Sequence, residues 1–154
     1  MVRPVSLEDA NAALPALRPL VATAMKIHGQ LRPLIAQLEV RDVEVDRKLL
    51  LGAIPKDAGR TTRFMIGRVQ GLYGALREII DEIEGHGAQV KDLETGLLDF
   101  RSYLGGEREV LLCWRIDESV VGHYHDLSAG FAGRRPVAGC TFTATPSHPG
   151  REHA

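Results

Sequence analysis

Cysteine is scarce: Cys113 and Cys140 are the only two in 154 residues. That excludes a disulfide framework and, with no export signal at the N-terminus, points to a reducing cytoplasmic setting. Aromatic residues are few, at 5%. No apolar run approaches the ~18 residues that span a bilayer, so no membrane association is expected. An excess of either charge sign is also missing. Nineteen basic residues stand against twenty acidic ones, a net charge of −1, which argues against a nucleic-acid partner. Phosphate loops, nucleophile elbows and paired Cys-x-x-Cys motifs are all absent.

What remains is the composition of one ordinary folded domain, 44% hydrophobic and 25% charged. Leu7, Ala10, Leu14, Leu17, Val21, Ala24, His28, Leu31, Ile35 and Leu38 recur at steps of three and four. This spacing predicts a long helix, about 7–45, opened by Ser6 as cap and kinked at Pro15, Pro19 and Pro33. Met65, Val69, Leu72, Leu76, Ile79 and Ile83 predict a second helix over 62–84, stopped by Gly85-His86-Gly87. Between 88 and 126 the pattern changes to four short segments, 88–93, 97–101, 109–115 and 120–126, separated by turn residues. The expected fold is α+β: an antiparallel helical hairpin packed on a small antiparallel sheet, one domain over 1–137. Residues 138–154 are expected to be a flexible tail. The wide apolar seam of the first helix predicts a symmetric homodimer.

His123-Tyr124-His125 is the sharpest local feature. Alternation along a strand puts both imidazoles on one face, a compact pair of nitrogen ligands for one divalent metal, zinc or iron. Glu118 or Asp126 would add an oxygen, and Cys113 or His28 a third ligand from elsewhere. If Arg115 faces Val120, Leu112 opposes His123 and Cys113 points away; one residue of slip reverses this. Asp99 is an acid inside an apolar strand, either a buried base or the wet side of the alternation. Arg115 and Arg134 carry forked donors suited to an anion. His28 interrupts an apolar seam beside the carbonyl that Pro33 leaves free. Gly67, Gly71 and Gly74 line the second helix with bare backbone, for a close helix or a ligand.

Four stretches together carry a family resemblance: LEDANAALPALRPL at 7–20, VKDLETGLLDF at 90–100, EVLLCWR at 109–115, and GFAGR at 130–134 following His125. The chain resembles a small bacterial family known only as domain-of-unknown-function family twenty-two-zero-three. The resemblance implies a helical N-terminal part and a strand-rich C-terminal part, and no established activity. His125 falls on the family pattern; His123 departs from it.

The functional expectation is a histidine-centred pocket between sheet and hairpin, in a metal-dependent or acid/base enzyme acting on a small anionic molecule. His125, Asp99 and Glu118 are the catalytic candidates, Arg115, Arg134 and His28 the substrate-binding ones, and His123 with His125 the metal ligands. The alternative is a non-catalytic helical module for dimerisation or protein interaction.

Overall fold

The computed structural model describes residues 2–147. Helix α1 (Leu7–Val40) starts where Ser6 Oγ accepts the Asp9 N–H at 3.0 Å, with Glu8 and Asp9 at the positive end of the helix dipole. Its three prolines are exposed, and the helix runs unbroken past each. It ends at Val40, earlier than the periodicity predicts. Asp42 turns left-handed (φ 59°) and the Val43 N–H bonds back to the Leu38 carbonyl at 2.9 Å, which closes the last turn. A single turn, α2 (Arg47–Leu50), is capped by Asp46 and buries Leu49. Helix α3 (Arg60–Gly85) completes the hairpin and buries Met65, Ile66, Val69, Leu76 and Ile83. No helix among the described residues is long and apolar enough to cross a membrane.

The sheet follows: β1 (Ala88–Asp92), β2 (Leu97–Leu104), β3 (Arg108–Arg115) and β4 (His123–Asp126). Two further short strands join them, β5 (Arg135–Pro136) beside β4 and β6 (Phe142–Thr143) beside the end of β2. All pairings are antiparallel, in the order β1-β2-β3-β4-β5. The segment from 138 onward thus includes a paired strand with Phe142 buried against Tyr124, ring centroids 5.2 Å apart. The remainder of the expected tail, 148–154, lies outside the described residues.

Alternation gives the sheet two faces. Leu98, Phe100, Val110, Leu112, Trp114 and Tyr124 join the buried residues of α1 and α3 in one hydrophobic core. Trp114 is fully buried, its indole N–H donates to the Glu118 carbonyl at 3.0 Å, and the Arg18 guanidinium lies 5.2 Å from its ring. The seam of α1 (Leu14, Leu17, Val21, Ala24, Leu31, Leu38) is consumed inside this core. Leu20, Leu34 and Ile35 beside it are half-buried against the same core.

Candidate functional site

The opposite face of the sheet carries Asp99, Leu111, Cys113, His123 and His125. The register decides this. Asp99 pairs with Cys113, Cys113 with His123, and Leu111 with His125. Residues directly opposed in an antiparallel pair share a face, so Cys113 lies on the histidine face. The connection after β3 is one residue longer than a pairing of Arg115 with Val120 would make it. Val121 is the buried residue (1% exposed), its N–H held by Asn11 of α1 at 2.8 Å, whereas Val120 is 56% exposed.

Three of these side chains converge. The donor atoms of Asp99, Cys113 and His125 all lie within 4.8 Å of one another, and all three residues are buried. His125 reaches across β3, placing Nε2 3.3 Å from Asp99 Oδ1. Its Nδ1 stands 2.8 Å from the Asp126 carbonyl. A carbonyl oxygen only accepts, so Nδ1 bears the hydrogen and donates it. Nε2 then presents a lone pair to a carboxylate oxygen. Two acceptors at this separation repel unless a proton or a cation lies between them. Burial pushes the Cys113 thiol up to about 12, with the neighbouring Asp99 charge adding to the effect. Unassisted, it stays protonated at neutral pH; a metal ion would displace that proton.

A cavity of about 240 Å³ opens onto Asp99 and His125. Its walls are mainly apolar, with Leu97, Leu111, Leu127 and Phe131 contributing, and exposed Lys91 stands at its edge. The roof is the segment after β4, including a helical turn at Phe131–Gly133. Arg134 fastens that roof. Its Nη2 donates to Glu118 Oε1 and Oε2 at 2.8 and 2.7 Å and stands 3.1 Å from His123 Nδ1, while its guanidinium lies 4.4 Å from the Phe131 ring. Its Nε is buried without a partner.

The predicted site residues therefore divide. His125 and Asp99 come together. Glu118 instead joins Arg134 and His123, with His123 Nδ1 3.7 Å from its carboxylate. His123 is thus outside the three-donor group, in which Cys113 takes the place expected of it. Arg115 is committed to Asp117 at 2.6 Å, and this pairing holds the Asp117 carboxyl below its ordinary range. Half-buried His28 sits on α1, on the hairpin side, where it adds only a minor part to the lowering of Asp92; the Glu94 N–H and the Thr95 hydroxyl contribute more. The pocket is not between sheet and hairpin, because Trp114, Phe100 and their neighbours fill that space. Lys91 and Phe131 were not anticipated, and their only sequence signal is proximity to strand ends and the glycine-rich roof.

A larger cleft of about 580 Å³ lies at the far end of the hairpin, lined by Arg41, Asp46, Lys48 and Ile54 among others. Its charged side chains are exposed, so water competes for each of them. Buried convergent donors are found at the sheet.

A family model described as an uncharacterised conserved protein, DUF2203, matches residues 3–137. No curated protein and no solved structure matches the chain.

Proposed function

The chain belongs to this family of uncharacterised conserved proteins, and we propose from its own geometry that it is a metal-dependent enzyme acting on a small anionic molecule at the outer face of the sheet. One observation carries the reading: three buried donors of different chemistry, Asp99, Cys113 and His125, converge within 4.8 Å, and two of them, Asp99 and His125, line a cavity. Imidazole, thiolate and carboxylate suit zinc, with iron(II) second. The Nδ1–H bond to the Asp126 carbonyl is the outer-shell contact that fixes the tautomer of a metal-bound histidine. Three protein ligands are the number a catalytic zinc site uses, and Asp99 and His125 would hold the ion beside the cavity that they line. When bound, such an ion polarises a carbonyl or phosphoryl oxygen and acidifies water. Around it, Leu97, Leu111 and Phe131 exclude solvent, and Lys91 supplies the positive charge that favours an anion. Arg134 and Glu118 position the roof rather than touch the substrate.

The test is elemental analysis of the chain purified without chelator, with about one equivalent of zinc or iron expected. His125→Ala and Cys113→Ala should lose it while helical content is kept. Cobalt(II) reconstitution should give a thiolate-to-cobalt band in the near ultraviolet that Cys113→Ala abolishes. Protein that takes up no stoichiometric metal, or a Cys113→Ala variant that retains it with the same spectrum, would overturn the reading.

A further inference from the structure

We propose that the solvent face of α3 is a homotypic interface, through which two copies of this chain pair antiparallel about a two-fold axis near Gly71. At 100° per residue, the side of the helix centred on Gly71 is small in its middle, with Gly67, Gly74 and Ala75 beside it. All four residues are exposed. Beyond the adjacent residues and the helix's own backbone, no atom lies within 4 Å of where a Cβ would stand on any of the three glycines, so no contact with the rest of the protomer accounts for them. Each glycine costs a helix interior about 1 kcal/mol relative to alanine. Bare backbone permits a second helix to approach closely. On the same side, Phe64 is 69% exposed in an otherwise polar surrounding.

The charges on this face specify the partner and its orientation. Arg60 and Arg68 lie on the N-terminal half, Glu78 and Glu82 on the C-terminal half, and all four are exposed. A two-fold axis at Gly71 sets Arg60 against Glu82 of the partner subunit. It sets Phe64 against the aliphatic stem of Glu78 of the partner subunit, and Gly67 against Ala75 of the partner subunit. A parallel arrangement would stack Arg60 on its own copy, like charge on like. The face is complementary to itself in one orientation only, which is what a second copy of this chain requires.

Sedimentation of the full chain at tens of micromolar is the test. A dimer is expected, weakening with added salt. Gly71→Leu should raise its dissociation constant at least about tenfold and, at dilutions where both proteins are monomeric, leave thermal stability unchanged or higher, because leucine favours helix more than glycine. Arg60→Glu should weaken the dimer, and Arg60→Glu combined with Glu82→Arg should restore it. A monomer at every concentration would overturn the proposal, as would a dimer indifferent to Gly71→Leu, which would have to use another face.

Discussion

The two faces of the sheet are built from the same strands and differ by one step of alternation, yet they are covered in unlike ways. The inner face carries Leu98, Phe100, Leu112 and Trp114 and is sealed by two long helices. The outer face carries Asp99, Cys113 and His125 and is sealed by a short roof held by one arginine. The centre of the outer face is buried nearly as completely as the inner one: Trp114 is 0% exposed, Asp99 3% and His125 4%. The difference lies in what the burial does. Apolar groups on the inner face gain free energy by leaving water, whereas polar groups on the outer face lose hydration and depend on a proton, an ion or each other. The inner face supplies stability; the outer face keeps the Cys113 thiol protonated well beyond its ordinary range.

Trp114→Ala should give the largest effect. Removing this side chain empties the centre of the inner core and should cost about 3–5 kcal/mol in urea unfolding. A loss below about 1 kcal/mol would mean that the inner face is not the stabilising one. Arg134→Met comes next, at about 2 kcal/mol, because it removes charge-assisted bonds from a mostly buried Glu118. Amide exchange should accelerate over 127–136 and stay unchanged in α1 and α3. If the helices loosened equally, the two coverings would be one cooperative unit.

The smallest effect separates the two cysteines. Exposed Cys140 should react with a maleimide at once, and buried Cys113 only on unfolding. The folded Cys113 thiol keeps its proton to about 12, whereas the unfolded one titrates near 9.0. Between those values the folded state binds more protons, so this contribution to metal-free stability is complete below pH 9 and is lost as pH rises toward 12. Cys113→Ala should remove that component from a pH series of unfolding curves. An unaltered alkaline decline would assign it to other groups.

Much of this comparison is legible in the chain itself. The three-four spacing from Leu7 to Leu38 marks α1, and the Ser6 cap marks its start. The four-three spacing from Met65 to Ile83 marks α3, and the alternation of His123 and His125 puts them on one face. The end of α1 was less legible, because an aspartate takes the left-handed position usually given to glycine. The three-donor group was hidden further, since its members come from three strands. His123, the neighbour by spacing, turns to Arg134 and Glu118, while Cys113 arrives from the adjacent strand.

Local periodicity, a property of a few adjacent residues, determined by itself that this chain forms two long helices followed by a sheet. It also determined that alternate residues of each strand face opposite ways, because backbone geometry repeats every 3.6 or 2 residues whatever surrounds it. Only the tertiary structure decided which face meets the helices and which strands bring Asp99, Cys113 and His125 together. Strand register depends on the connection between β3 and β4, and that connection is set by Val121 entering the core and by its N–H bond to Asn11, 110 residues away.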